Sequence, residues 1–372
     1  MWANTPDDQR FGNIDALIAD VKDRHQNSFE REGIIFPDVQ EVTHQDDDPV
    51  LVTQDGERFR FSNHGFVKLC RTLGASAETM AKLPAENVAQ DLTYLLQNRD
   101  ANMAQMQDLE AREKAEATWA KPRKILALNT AAGQLPMIRH IGSERYGRIY
   151  DLDVALWAKG IMTDHGFTVP PSKYKENSGL YAGDESVFIM LQDLSKSIEV
   201  KRPGGGMEQL TRGIMVWNSE VGEKTFGFMG FLCQMICDNH IVWGAENVIK
   251  TETRHVGNAF ERAADQLLPQ VTAYLEKDTR EETDLIFSAM NNRIAAKPDE
   301  ALTFLRGKGF TKKVAQEALV RARIDPDNEG LEPLSFLAVV NGLTSQARDM
   351  SGAMERTDLE RRARGILELV AA

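Results

Sequence analysis

Two β-type segments joined by a glycine-rich turn constrain the fold of this chain more than any other feature of its sequence. Residues 186–191 and 198–200 precede the turn Lys201-Arg202-Pro203-Gly204-Gly205-Gly206, and residues 210–217 follow it. Short apolar runs bounded by proline and glycine are typical of strands and turns. The pattern predicts a long hairpin with a mobile tip, which must pair with further strands to be stable.

Further segments predict the rest of an antiparallel sheet and two helices associated with it. The additional strands are predicted at residues 125–128, 137–141 and 241–243. One helix is predicted to be capped by Asp151 or Asp153. Residues 225–237 have almost no polar side chain, so they are predicted to form a helix that is buried on all sides.

The regions on both sides of this core are predicted to be mainly helical. A hairpin turn at Asp55-Gly56 comes before a helix that is capped by Ser62 or Asn63 and ended by Gly74. The whole is predicted to be an α+β protein, in which helical N- and C-terminal regions flank a central antiparallel sheet with a long hairpin and one buried helix. The predicted divisions are an acidic arm at 1–48, a hairpin and helical subdomain at 49–120, a β-rich core domain at 121–278 and a helical domain at 279–372.

The distribution of charge limits how the protein could bind nucleic acid. The formal net charge is −12, and the segments 1–120, 121–262 and 263–372 carry −10, +1 and −3 respectively. This balance disfavours a protein that wraps nucleic acid over its whole surface, but it allows one positive groove in the near-neutral middle of the chain.

The N-terminal residues and the cysteines predict the compartment. The chain begins without the positive and apolar regions of a signal peptide, and its longest apolar run is too short to span a bilayer. Three cysteines, Cys70, Cys233 and Cys237, do not make a disulfide framework. The protein is therefore expected in the cytoplasm, without a membrane partner.

Two groups of residues could hold a metal ion, and for both the structural interpretation is favoured. Cys233, Cys237 and His240 would share one face of a helix, but a closed zinc site needs a fourth ligand. Glu220, Asp238 and His240 could serve a metal-dependent nuclease, although their spacing matches no nuclease signature. The favoured interpretation is a structural polar network of Asn218, Glu220, Asp238, Asn239, His240, Arg254 and His255. No catalytic residue, metal or cofactor is assigned, since phosphate-binding, nucleophile and dinucleotide motifs are absent from the sequence.

Basic and aromatic residues interleave in the middle of the chain. A groove for single-stranded nucleic acid needs cations for the phosphates and ring faces for stacked bases. The candidate nucleic-acid-binding residues are Arg139, Arg145, Tyr146, Arg148, Lys173, Tyr174, Lys175, Lys201, Arg202 and Arg212. The alternative interpretation is an ordinary solvated strand face with the aromatic rings in the core.

The motifs GIMVWNSEVG at 213–222, CDNHIVWG at 237–244 and Arg254-His255 resemble those of the phage/plasmid-like family of uncharacterised proteins. Supporting matches are residues 143–149 and 335–344. The resemblance covers most of the chain and implies an origin on a bacteriophage, prophage or conjugative plasmid. It implies no established activity.

The order of the predicted elements is also similar to the core of single-strand annealing proteins, the RecT, Red-beta and Rad-fifty-two group. That resemblance implies a ring or filament that holds DNA in a positive groove beside the hairpin. The chain departs from the group in its near-neutral core and in the apolar segment after the hairpin.

The leading hypothesis is a non-enzymatic protein of a phage or plasmid that binds and anneals single-stranded DNA in recombination or replication, as a homo-oligomer. The alternatives are a protein that inhibits a host defence protein through its acidic arm, and a metal-dependent nuclease.

Overall fold

The fold is α+β, as the sequence predicts, and it is built on two β-sheets. The computed structural model describes residues 9–34, 39–98, 108–110, 112–113, 121–170, 179–234, 240–241, 251–253, 269–274, 276–350 and 353–370. No helix in this part of the chain is both long and apolar enough to cross a membrane.

The strands and helices are numbered here in chain order. The strands are β1 (Gln9–Arg10), β2 (Ser28–Ile34), β3 (Val39–Gln45), β4 (Asp48–Thr53), β5 (Arg58–Phe61), β6 (Arg123–Leu128), β7 (Met137–Ser143), β8 (Leu180–Ala182), β9 (Val187–Lys201), β10 (Met207–Asn218), β11 (Phe226–Gln234), β12 (His240–Ile241) and β13 (Thr251–Thr253). The helices are α1 (Ile14–Asn27), α2 (Asn63–Leu73), α3 (Ala77–Met80), α4 (Ala85–Gln97), α5 (Asp151–His165), α6 (Arg280–Asn291), α7 (Pro298–Gly307), α8 (Lys312–Ile324), α9 (Phe336–Arg348) and α10 (Ala353–Leu367).

Sheet A contains the predicted long hairpin. Its strand order is β1-β8-β9-β10-β11-β12, with β13 also paired to β11, and its pairs are antiparallel. Strands β9 and β10 form the hairpin, with one register shift between Thr211 and Gly213. The hairpin is therefore confirmed at the place where the sequence predicts it.

The helix predicted at residues 225–237 is wrong, because residues 226–234 form strand β11. Its side chains alternate between two buried environments: Phe226 and Phe228 pack with α1 and α5, while Met229 and Phe231 belong to a cluster on the opposite face. A strand that is buried on both faces has no polar side, so its sequence looks like that of a buried helix.

Sheet B joins two regions that are predicted from the sequence to be separate. Its strand order is β2-β6-β7-β5-β4-β3, and β5 with β7 is its parallel pair. Strands β6 and β7 come from the predicted core domain, yet they pair with β2 and β5 from the first 61 residues. The predicted divisions at residues 48 and 120 therefore fall within one sheet.

Helix α2 fixes the contact between the first hairpin and β7. The Ser62 hydroxyl accepts a hydrogen bond from the amide of Gly65 at 3.1 Å, and Gly74 ends the helix with a φ of 75°. Both features were predicted, and both are confirmed. A side chain at Gly65 would lie 2.2 Å from the carbonyl oxygen of Ile138, so glycine allows α2 to lie directly against β7.

Helices α1 and α5 cover one face of sheet A. Val154, Ala158 and Ile161 of α5 are buried there with Leu17 and Val21 of α1. The predicted aspartate caps of α5 are wrong, since Tyr150 is its N-cap residue and makes no side-chain cap hydrogen bond.

The C-terminal helices, α6 to α10, cover the other face of sheet A. Their core includes Ile198, Val200 and Leu210 from the hairpin. The hairpin tip contacts this helical region as well, because the amide of Gly204 donates to the carbonyl of Gly330 at 3.1 Å. The tip predicted to be mobile is thus packed against the turn at residues 329–330.

Candidate functional site

Two arginines predicted to contact DNA lie between the sheets and are paired with the protein's own acidic groups. The side chain of Arg139 is 1% exposed; its Nη1 lies 2.7 Å from Glu220 Oε2 and its Nε lies 3.2 Å from Asp184 Oδ1. Arg148 Nε lies 2.7 Å from Glu30 Oε1, and Arg148 also donates to the carbonyl of Glu220. Both guanidinium groups therefore stabilise the junction between the sheets.

Two further arginines of the predicted set have the same kind of role on the other side of sheet A. Arg202 Nη2 lies 2.6 Å from Glu208 Oε2, and Arg202 Nη1 donates to the carbonyl of Glu329 at 2.7 Å. Arg212 is buried; it pairs with Glu282 at 2.7 Å and donates to three backbone carbonyls between residues 274 and 278.

The remaining members of the predicted DNA-binding set do not complete a groove. The Tyr146 hydroxyl lies 3.2 Å from the carbonyls of Ser219 and Glu220, whereas Arg145 and Lys201 are exposed. Lys173, Tyr174 and Lys175 lie outside the described residues. Because four cations of the set are paired with carboxylates and Tyr146 is bonded to the backbone, the described members do not form the predicted positive groove. Contact with DNA phosphates would require these ion pairs to open.

A cluster of charged and amide side chains is buried where the two sheets meet. It contains two members of the predicted polar network, Asn218 and Glu220. The amide of Asp151 donates to Glu220 Oε1 at 2.9 Å, and Asn218 Nδ2 donates to Asp151 Oδ1 at 2.7 Å. Arg24 Nη1 lies 3.7 Å from Asp151 Oδ2. Arg24, Arg139, Asp151, Asn218 and Glu220 are called the buried charge cluster below.

The two candidate metal sites are contradicted for those of their residues that the structure describes. Both carboxylate oxygens of Glu220 accept hydrogen bonds from the protein, and the residue is 2% exposed. Cys233 and His240 lie in register on paired strands, so the helical spacing does not apply. Asp238, Asn239, Arg254 and His255, as well as Cys237, lie outside the described residues. Among the described residues, no group of three or more His, Cys, Asp or Glu side chains could hold a metal ion.

The two carboxyl groups of the cluster have different affinities for protons. Burial raises the pKa of Asp151 to about 7, and the negative charge of Glu220 acts in the same direction. For Glu220, burial alone would raise the pKa, but Arg139 and the amide of Asp151 outweigh it, so the pKa lies below its ordinary value. Asp151 Oδ2 is buried without a hydrogen-bond donor among the described residues.

Replacing Asp151 by Asn should stabilise the protein most at high pH. The pKa of the Asp151 carboxyl is near 3.8 in the unfolded chain and about 7 in the folded protein. The folded state therefore binds the Asp151 proton more tightly than the unfolded state, and the protein loses stability as pH rises from about 4 to 7. Asn keeps the oxygen that accepts from Asn218 and removes the ionisation. We expect the gain in unfolding free energy over the wild type to be about 2 kcal/mol larger near pH 8 than near pH 5.

Urea unfolding at the two pH values measures this difference. The control is Asp164→Asn, which changes an exposed carboxyl on the same helix and should have the same small effect at both pH values. An equal gain for Asp151→Asn at both pH values would contradict the assignment.

An open pocket lies between sheet A and the C-terminal helices. Its volume is about 530 Å³. Phe188, Met215, Trp217 and Met229 form its floor, on the face of sheet A opposite α1 and α5. Helix α10 forms one wall. The volume and the apolar floor are typical of a site for a small molecule or for part of a larger ligand.

The rim of the pocket carries charges of both signs. Lys224 is half-buried and has no carboxylate partner among the described residues. Arg361 pairs with Asp358, and Arg362 donates to the carbonyl of Gly309 at 2.7 Å. Glu355 is exposed on the same rim. Lys224 is therefore the cation whose charge is most available to a ligand.

A buried arginine holds the α10 wall against the sheet. Arg356 Nε lies 2.9 Å from Glu360 Oε1, and Arg356 also donates to the hydroxyl of Tyr181 in β8. Thr357, one residue further on, contacts the sulfur of Met215 at 3.8 Å. The wall and the floor of the pocket are thus connected by specific contacts.

Comparison with known proteins adds no relative from which a function could be transferred. No protein-family model, curated protein or solved structure matches the chain. The resemblances to the phage/plasmid-like family and to the annealing proteins therefore stay predictions from the sequence.

Proposed function

We propose that the protein binds single-stranded DNA without catalysing a reaction on it, in recombination or replication of a mobile element, and that the pocket receives the bases. The observation that carries the proposal is the pocket itself, which combines aromatic rings, an apolar floor and an available cation. This site differs from the groove predicted from the sequence.

The chemistry of the pocket fits a nucleotide. The rings of Phe188 and Trp217 at its floor offer apolar contact to a base, and Lys224 stands at the rim where a phosphate would remain in water. Base–aromatic contact is tolerant of sequence, because every base has a ring face. Bases inside a duplex are stacked and paired, so the proposal includes a preference for single strands over double strands.

The size of the pocket supports an assembly of several copies. A volume of about 530 Å³ holds roughly one or two nucleotides. One such contact binds weakly, whereas a polymer that crosses pockets on neighbouring copies gains affinity from each further contact. A homo-oligomeric ring or filament is therefore part of the proposal.

Charge changes at the rim should alter the affinity in opposite directions. Lys224→Glu should weaken the binding of a fluorescein-labelled oligodeoxythymidine by about tenfold, since a phosphate then meets a negative charge. Glu355→Gln should strengthen the binding by about twofold, because it removes a negative charge from the same rim. Fluorescence anisotropy at low salt measures both, and added salt should weaken the wild-type complex.

The matched control is Lys22→Glu. It makes the same charge change on an exposed residue of α1, on the opposite face of sheet A, and should leave the affinity nearly unchanged. Unchanged anisotropy of the wild type at low salt would reject DNA binding. Equal affinities of Lys224→Glu and Lys22→Glu would reject the pocket as the site.

A further inference from the structure

The turn between β10 and β11 connects the buried charge cluster to the pocket. It comprises residues 219–225 and is called the junction turn below. At its start, the side chain of Glu220 is held by Arg139 and by the amide of Asp151. The carbonyl of Glu220 accepts from Arg148 and lies 3.2 Å from the Tyr146 hydroxyl. The first half of the turn is thus fixed by Arg139 of sheet B, by Tyr146 and Arg148 of the loop after β7, and by the first backbone amide of α5.

The middle of the junction turn is held by a buried histidine and by a serine hydroxyl. His64 Nε2 lies 3.2 Å from the carbonyl of Val221, and His64 Nδ1 lies 3.7 Å from a carboxylate oxygen of Glu223. The Ser219 hydroxyl accepts from the amide of Glu223 at 3.0 Å. A movement of Glu220 would therefore be transmitted along the turn.

The end of the junction turn forms part of the pocket. Lys224 and Thr225 lie on the pocket rim, and Trp217, two residues before the turn, lies on its floor. Trp217 is paired with Phe188 across the hairpin and with Gly227 of β11. Nine consecutive residues therefore carry both a member of the buried cluster and a side chain that meets the ligand.

We propose that the junction turn couples protonation of the buried acidic pair, Asp151 and Glu220, to the pocket, so that the pocket is better ordered and binds an anionic ligand more tightly when the pair carries one proton. The identity of the ligand rests on the proposed function, whereas the response of the turn does not.

The direction follows from the charges around the pair. With one proton, the pair carries a single negative charge that faces Arg139 and Arg24, and Glu220 stays bound to Arg139 and to the backbone amide at the start of α5. With no proton, Asp151 and Glu220 repel each other in a buried site. The charged and titratable groups facing the pair are Arg24 of α1, Glu30 of β2, Arg139 of β7, Tyr146, Arg148 and Tyr150 of the loop after β7, Asp153 of α5 and Asp184 of the loop before β9.

The pKa values of the groups around the junction turn agree with a change in the charge of the acidic pair near neutral pH. The raised pKa of Asp151, about 7, places its ionisation there. Burial lowers the pKa of His64 to about 4, so this neighbour of the turn does not titrate in the same range. DNA phosphodiesters also keep their negative charge in this pH range.

Hydrogen exchange and DNA binding, measured near pH 6 and pH 8, test the coupling. After correction for intrinsic rates, amides of residues 221–225 should exchange at least about fivefold faster at the higher pH, and oligodeoxythymidine should dissociate about fivefold more readily. Asp151→Asn should remove both pH effects, and Asp164→Asn should retain them. Glu220→Gln serves as the second variant of the pair and should also reduce both effects.

The two readouts separate this proposal from the proposed function. Lack of DNA binding at both pH values counts against the proposed function. In that case, the pH dependence of hydrogen exchange in the junction turn still tests the proposed coupling. Exchange that is the same at both pH values overturns the coupling, even where DNA binds. Unchanged pH effects in a folded Asp151→Asn protein overturn it as well.

Discussion

Arg139→Met should lower the free energy of unfolding by about 3–5 kcal/mol, because it breaks a buried ion pair and leaves a carboxylate without its partner. Arg139 is buried in β7 and is bonded to Glu220 and Asp184. Methionine fills much of the same volume, so the loss comes mainly from carboxylate charge that stays buried without its partner. Methionine also removes the donor to the carbonyl of Asp184 at 2.9 Å.

Urea unfolding at neutral pH measures this loss. The control is Arg145→Met, because Arg145 is exposed shortly after the same strand and its loss should change stability by less than about 0.5 kcal/mol. Adding Glu220→Gln to Arg139→Met removes the uncompensated charge and should recover part of the loss. A loss below about 1 kcal/mol for Arg139→Met would show that the ion pair has little net effect.

Much of the fold could be predicted from local sequence because local residues determine it. The long hairpin has its own turn residues, and α2 has its Ser62 cap and Gly74 stop. In both cases the residues that shape the element lie within it or directly beside it in the sequence. At the N-terminal end the prediction is only partly correct, because residues 28–34 and 39–45 of the predicted acidic arm form strands β2 and β3.

The pairing of distant elements could not be predicted in the same way. Residues 226–233 include no polar residue, and pairing with β10 makes this segment a strand whose side chains are buried on both faces. Sheet B pairs β2 with β6, which follows about one hundred residues later in the chain. The sequence of neither strand indicates which strand it pairs with. The predicted division at residue 120 separated strands that are neighbours.

The candidate site was predicted least well, for an electrostatic reason. A list of arginines and tyrosines resembles a DNA-binding surface, but each cation can be neutralised by a carboxylate far away in the sequence. Arg139 pairs with Glu220, 81 residues away, and Arg212 with Glu282, 70 residues away. The pocket had a weak signal: Met215 and Trp217 alternate with Ile214 and Val216 along β10, so the strand carries two apolar faces. One of those faces is covered by α1 and α5, and the pocket opens on the other.

Gly342→Ala should destabilise the C-terminal helical domain by about 3 kcal/mol. A methyl group at Gly342 would lie 2.2 Å from the carbonyl oxygen of Ala318 and 3.0 Å from the amide nitrogen of Ala322. Both atoms belong to the backbone of α8 and cannot rotate away, so the two helices must separate. Separation would open the core around Ala315 and Leu343.

The matched control is Gly160→Ala in the middle of α5. A methyl group there meets no atom of the described residues within 4 Å, so alanine should stabilise the helix by about 0.5–1 kcal/mol through its higher helix propensity. If Gly342→Ala lowers the free energy of unfolding and Gly160→Ala raises it, close contact with α8 determines the effect at Gly342, and not the presence of glycine in a helix. Equal signs in urea unfolding would contradict the close packing of α8 and α9. Helix α8 contributes Val314 to the pocket. Helix α10 packs on α9 and forms one wall of the pocket. Separation of α8 from α9 should therefore also weaken ligand binding in the pocket.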